Sequence, residues 1–194
     1  MNEEKRLAEV EKFKMIYETQ ITRAGADRMM DWLEEKGFFE APASTKYHGS
    51  YAGGLVEHSN NVYERLIKLA IGENERLNPE QPEYYMDSLA TVSLLHDVCK
   101  ADAYKMDKDG KYTYTNTFPI GHGEKSVMII SRFMPLSKEE MLAIRWHMGA
   151  WDNAVQGGSH DFNNAISSSR LVAMLHIADM MATYLDEREV IKNV

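Results

Sequence analysis

The sequence predicts an all-α fold, a helical bundle interrupted by one small β-hairpin. Three observations carry this. Apolar residues recur at helical spacing along most of the 194 residues. Capping residues stand where several of these stretches begin or end. Only one stretch, around Asp109-Gly110, combines a tight-turn dipeptide with flanking strand formers. A chain of this length suits a single domain with one core. Residues 1–44 are expected to form an N-terminal helical hairpin, and 45–190 the main helical core.

Taken in order, a first helix is expected from Glu3 to about Gln20, with Leu7, Val10, Phe13 and Tyr17 on one face. A second runs from about Thr22 to Lys36 with Met29, Met30, Trp32 and Leu33, and Gly37 caps it. A loop covers Phe38 to Tyr47. Glycines at 49, 53 and 54 then break the chain before a helix to about Ile71. Its stripe is Leu55, His58, Val62, Leu66 and Leu69. A polar loop over Gly72 to Gln81, with Pro79 and Pro82 nearby, leads to a helix from about Glu83 to Cys99 with Tyr85, Leu89, Val92 and His96 in line.

The hairpin spans Tyr104 to Tyr114. A helix then opens near Pro119 and reaches about Phe133, aligning His122, Ser126, Ile129 and Phe133. Ser137 and Glu140 form a capping box for a helix to Met148 that aligns Met141, Ile144 and His147. The Asn-, Gly- and Ser-rich stretch 153–169 reads as a mobile surface loop or lid. A last helix, from about Ser167 to Glu189, carries Val172, Leu175 and Asp179.

The bulk composition narrows the function. An apolar fraction of 44% and a charged fraction of 27% are ordinary for a soluble protein. No apolar run is long enough to span a bilayer, and the charged N-terminus has no apolar segment behind it, so a cytoplasmic location is expected. A net charge of -8 argues against a broad nucleic-acid surface, but not against a small phosphorylated substrate. The single cysteine, Cys99, excludes an internal disulfide framework and a thiolate zinc site. The 13 methionines read mostly as core filler.

The chemistry centres on His96-Asp97, which ends an apolar helical run. Buried ionisable groups are costly unless paired or bound to metal. One histidine on an apolar stripe is usually a hydrogen-bonded core residue. Here His58, His96, His122 and His147 each fall on the stripe of a different helix, and Asp179 falls on another. Helix bundles build metal sites in this way. His176 has the same helical spacing from Val172, so periodicity alone leaves His176 and Asp179 as alternatives for the inward position.

Imidazoles and carboxylates without thiolate suit a divalent transition metal: Mn, Fe, Co, Ni or Zn. Four histidines and two aspartates exceed the needs of one tetrahedral ion and suit one or two ions. Two ions about 3.5–4 Å apart can clamp the attacking and leaving oxygens of a phosphoryl displacement.

The ordered set resembles the HD-domain superfamily of metal-dependent phosphohydrolases. That pattern is a His, a His-Asp pair and a late Asp, with two more histidines in many two-metal members. It maps onto His58, His96-Asp97 and Asp179, with His122 and His147 between, over residues 48 to 180. The resemblance implies a first ion on His58, His96, Asp97 and Asp179. Asp97 would bridge to a second on His122 and His147. It also selects Asp179 over His176, and implies hydrolysis of a phosphomonoester or phosphodiester by a metal-activated hydroxide. Gly53-Gly54-Leu55-Val56-Glu57-His58 is similar to the HD domains of bacterial 3′-to-5′ exoribonucleases. This acidic chain has no room for the nucleic-acid-binding barrel of those enzymes, so the expected substrate is a nucleotide or another small phosphorylated metabolite.

The expected catalytic set is Asp97, Lys100 as a phosphate clamp, and His48 as a substrate contact or general acid. Helix geometry turns Arg145 away from that face. Trp151 could wall a ring pocket or pack in the core. His176 reads as a supporting residue, His160 as exposed and Cys99 as packed. Two other classes share the ligand set: a di-iron oxygenase on the same fold, and a non-catalytic metal- or nucleotide-binding module.

Overall fold

The computed structural model describes residues 1–77, 80, 84–101, 103–115 and 118–187. Within them the chain is all-α with one two-stranded antiparallel hairpin, as the periodicity predicts. Pro79, Pro82, the expected helix start at Glu83 and the expected helix end at Glu189 lie outside the described residues.

The helices are α1 (Glu3–Gln20), α2 (Ala26–Glu35), α3 (Gly54–Leu77), α4 (Met86–Leu95), α5 (His122–Ser131), α6 (Lys138–Trp146), α7 (Asn153–Gln156), α8 (Asp161–Ser168) and α9 (Arg170–Met181). Strands β1 (Tyr104–Met106) and β2 (Tyr112–Tyr114) pair with Tyr104 opposite Tyr114. The Asp107 side chain closes the hairpin turn by accepting from the backbone N–H groups of Asp109 and Lys111.

Helix α3 lies at the centre, against α9, α4 and α1, while α6 packs on α9 and α5. Leu55, Val56, Val62, Leu66, Leu94, Leu95, Ile144, Val172 and Leu175 fill the space between them and are wholly buried. The N-terminal helices attach through aromatic packing. Phe13 meets Phe38 at 5.2 Å and Phe39 at 5.5 Å between ring centroids. Arg23 adds a polar clasp, pairing with Asp87 at the head of α4 and with buried Glu140 of α6.

The Ser137–Glu140 capping box forms as expected. Several other expectations need correction. Helix α2 starts at Ala26 rather than Thr22, because Gly25 takes a left-handed conformation (φ 90) just before it. Helix α3 runs past Ile71 to Leu77, through residues expected to be loop. Leu7, Tyr85 and Met141 are exposed, so their stripes begin deeper, at Phe13, Leu89 and Ile144. Met15, Met86 and Met128 are exposed as well, so the methionines serve the core only in part.

The stretch 153–169 is not a loop but contains α7 and α8. Asp152 caps α7 by accepting from the Ala154 N–H, and Ser159 accepts from the Asp161 N–H at the start of α8. Phe162, Ala165 and Ile166, at helical spacing, turn to the core. A polar composition had concealed a short amphipathic helix.

Candidate metal centre

Backbone geometry places each member of the histidine set. Before α3 the chain doubles back. Gly53 adopts φ 80, and a Cβ on Gly54 would lie 2.0 Å from the Gly49 carbonyl oxygen. The close approach that only glycine permits brings His48 over the start of α3. The His48 ring lies 5.0 Å from that of His58, one turn into the helix.

His96 and His147 occupy equivalent positions at the ends of α4 and α6. Each is the first residue beyond its helix, still helical in backbone. Carbonyls in the last turn of a helix lack intrahelical partners. The His96 Nδ1 donates to the Ser93 carbonyl at 2.7 Å, and the His147 Nδ1 donates to the Ile144 carbonyl at 2.7 Å. Both rings are thereby fixed as the tautomer whose bare Nε2 faces inward. In His58 the Nδ1 lies 3.0 Å from the Glu187 carboxylate, which orients that ring with its Nε2 inward. An imidazole anchored through one nitrogen presents the other to a metal in this way.

The inward nitrogens converge. The rings of His58 and His96 lie 5.2 Å apart, those of His96 and His147 4.9 Å, and those of His147 and His122 5.3 Å. The Nε2 atoms of His58 and His96 face each other at 3.3 Å. The Nε2 of wholly buried His147 has no hydrogen-bond partner. The His58 and His96 Nε2 atoms, each beside a carboxylate, and the unpartnered Nε2 of His147 form a buried pocket that holds positive charge, a proton on His58 or a metal ion in its place. The donor set therefore fits a divalent metal.

Asp97 stands in the middle. Its backbone leaves the helical region (φ -105, ψ 15), so its side chain diverges from that of His96. Oδ2 lies 3.8 Å from His58 Nε2 and 3.5 Å from His96 Nε2. Oδ1 lies 3.3 Å from His147 Nε2 and contacts His122 Nε2. Asp179 on α9 reaches the His58 Nε2 at 3.3 Å. Among the described residues four donor triads could each hold an ion: His48, His58 and Glu187; His58, His96 and Asp97; His96, His147 and Asp179; and Asp97, His122 and His147.

The electrostatics follow from burial and pairing. Burial alone would raise the Asp97 carboxyl, but Lys100, His96 and His122 hold it well below the usual range. Burial would depress the Lys100 ammonium; Asp97, whose Oδ2 is 2.6 Å away, raises it instead. Burial would likewise depress His58, yet Glu187 and Asp179 raise it to about 10. His122 is raised to about 10 by the Cys99 sulfur and Asp97 against the same burial penalty. Burial and the proximity of His58 push His48 down to about 4. At neutral pH this makes His48 a neutral ring, with one N–H donor and one acceptor nitrogen.

The structure thus brings together His48, His58, His96, Asp97, Lys100, His122, His147 and Asp179. His176 stays outside the cluster and donates to the His147 carbonyl at 2.7 Å. Arg145 is engaged by Glu124 at 2.6 Å and Asp152 at 2.8 Å. Cys99 is buried, with its sulfur 3.2 Å from the His122 Nδ1. Trp151 is half exposed, which decides against a core role.

Glu187 was not anticipated. On a regular helix it would point about 80° from Asp179. The π-helical turn Ala182–Asp186 winds less per residue and returns Glu187 to the face of His58. The available signal was a carboxylate two turns beyond Asp179, visible only if the helix is allowed to change pitch.

A cleft of about 730 Å³ opens onto the cluster, lined by His48, His58, Asp97, Lys100, Trp151 and Tyr184 among others. A second, of about 620 Å³, approaches from the His122 side. Among the described residues no helix is long and apolar enough to cross a membrane.

Comparison with known proteins gives one significant relative. Over 83 residues the chain is 35% identical to the dihydroneopterin 2′,3′-cyclic phosphate phosphodiesterase of Methanocaldococcus jannaschii. The match takes in 43% of this chain and 32% of that protein, so it spans about a third of the relative's length. No family model matches the chain, and no solved structure matches it significantly.

Proposed function

We propose that this protein is an HD-type metal-dependent phosphohydrolase that cleaves a phosphoester, most naturally a phosphodiester, in a small phosphorylated molecule. The observation that carries the reading is the pair of His58 and His96 Nε2 atoms facing at 3.3 Å with both Nδ1 atoms already committed. A divalent ion held by these rings with Asp97 and Asp179 would take the place of the proton that otherwise links them. The similarity to an archaeal cyclic-phosphate phosphodiesterase supports the reaction class.

In this reading His58, His96, Asp97 and Asp179 hold a first divalent ion, and His122 and His147 a second that shares Asp97. Bound ions would supply Lewis-acid charge for the phosphoryl oxygens and lower the pKa of water. The chain does the rest. Asp97 turns one oxygen toward each histidine pair and so sets the spacing of the two halves. The Lys100 ammonium, kept charged by Asp97 and lining both clefts, faces the charge that develops on a phosphoryl group. His48 lines the substrate cleft as a neutral imidazole, and its buried Nε2 has no partner within the described residues.

The test is direct. Protein loaded with Mn, Fe, Co, Ni or Zn is assayed for phosphate release or ester opening on a panel of mono-, di- and cyclic phosphoesters. Metal-dependent turnover that chelator abolishes supports the reading. Stoichiometric metal with no turnover of any ester would remove it.

A further inference from the structure

The larger cleft has an aromatic end that the phosphoryl chemistry does not use. Trp151 is 49% exposed and Tyr184 42% exposed, and both line the cleft that contains Asp97, Lys100 and His48. Their ring centroids lie 6.5 Å apart with planes inclined by 32°. Tyr47, also exposed, lines the same cleft beside His48.

The placement of Trp151 is enforced by its surroundings. Gly149 takes φ 53, and a Cβ there would come within 2.2 Å of the His176 ring. That turn lets the chain reverse directly after His147. The Trp151 N–H then donates to the Met148 carbonyl at 3.1 Å, and the next residue, Asp152, is held by Arg145 at 2.8 Å. Trp151 is pinned through its backbone while its ring, flanked by His176 and Tyr184, stays about half exposed. Lys100, Met148 and Trp151 line both clefts, so the indole stands where the two meet. A large aromatic ring fixed and exposed at a cleft is a stacking platform. The volume of about 730 Å³ is within the range of small-molecule sites.

We infer that the substrate is a phosphoester carrying a planar aromatic heterocycle, and that Trp151, beside Tyr184, is the specificity residue on which this ring stacks. The phosphoester lies toward Asp97 and Lys100 and the ring toward the indole. This rests on the phosphohydrolase reading for the reacting end of the molecule, but not for the ring end.

The experiment compares two five-membered cyclic phosphodiesters, adenosine 2′,3′-cyclic phosphate and glycerol 1,2-cyclic phosphate, on the full metal-loaded chain. The expected kcat/KM favours the adenosine ester by about tenfold or more. Trp151→Ala should shrink that ratio mainly by raising KM for the adenosine ester, and Trp151→Phe should restore most of it. Equal rates on the two esters, or a variant that shifts both alike, would overturn the inference. A second arm needs no turnover. Adenosine 5′-monophosphate, but not ribose 5-phosphate, should quench tryptophan fluorescence in the wild type and not in Trp151→Phe. If no ester of the wider panel is hydrolysed and this quench is seen, the phosphohydrolase reading fails and ring recognition stands. If esters turn over without ring preference or quench, the reverse holds.

Discussion

Glu187 accepts a hydrogen bond from the Nδ1 of His58 at 3.0 Å, although 129 residues separate them. It takes a second from the Asn61 side chain at 3.0 Å, and the preceding Asp186 pairs with Arg65 on the same helix. The tail of α9 is thus clipped onto α3 beside the central histidines. Burial opposes a charged Glu187, and the His58 ring more than offsets it, so the carboxyl is lowered.

Glu187→Gln keeps the size and removes the charge. Partners of metal-bound histidines are worth about 10–100-fold in affinity. Calorimetric titration of the variant with Mn(II) should show a loss of that order. An unchanged affinity would mean that Glu187 does not tune His58.

Lys100→Met should leave the metal content intact and lower kcat. Groups aimed at developing charge contribute about 10²–10³ in kcat. Steady-state kinetics on the best phosphoester of the panel, with metal content measured on the same sample, checks this. A change confined to KM would assign Lys100 to ground-state binding instead.

Gly149→Ala and Gly72→Ala should move stability in opposite directions. Gly149 has φ 53 and no room before His176, so a methyl group costs about 1–2 kcal/mol in backbone strain alone and also strains the His176 bond to the His147 carbonyl. Gly72 is exposed near the C-terminal end of α3, with no atom within 4 Å of an added Cβ, and alanine there should stabilise by about 0.5–1 kcal/mol. Denaturant melts of both variants test the pair; a stabilised Gly149→Ala would contradict the structure.

Glu140 gives a pH signature remote from the metal centre. Burial would raise its carboxyl, but Arg23, Ser88 and the Ser137 N–H lower it below 4.5. A folded value below the unfolded one means that its contribution is complete above about pH 4.5 and fades as pH falls through the folded value. Glu140→Gln should therefore be less stable than wild type by about 1–3 kcal/mol at pH 7. The gap should hold to about pH 4.5 and close below it. Thermal melts across that range give the answer, and a gap independent of pH would exclude the Arg23 pairing as its source.

The sequence makes the site more legible than the details of the fold. His58, His96, His122 and His147 could be found because each sits in register with an apolar stripe of period 3.6, and a polar group repeated so on four separate helices is a strong pattern; three of the four are buried and His122 is partly so. The hairpin was legible from Asp109-Gly110. What periodicity could not resolve was local and tertiary. His176 and Asp179 share helical spacing from Val172, and only the packing of His176 beneath Gly149 separates them. Glu187 depends on a change of helical pitch. Helices α7 and α8 hide among polar residues because their stability comes from caps at Asp152 and Ser159 and from Phe162 reaching the core. Trp151 left core and cleft open until the turn at Gly149 placed it.

The central claim is a metal centre divided by Asp97 into two halves. Elemental analysis combined with anomalous scattering on crystals of the wild type, His122→Ala and Asp97→Asn tests it most directly. The account predicts two ions in the wild type, on either side of Asp97. His122→Ala should lose the ion on the His147 side and keep the other, and Asp97→Asn should weaken both. A wild type without bound metal, or both variants with full occupancy, would contradict it.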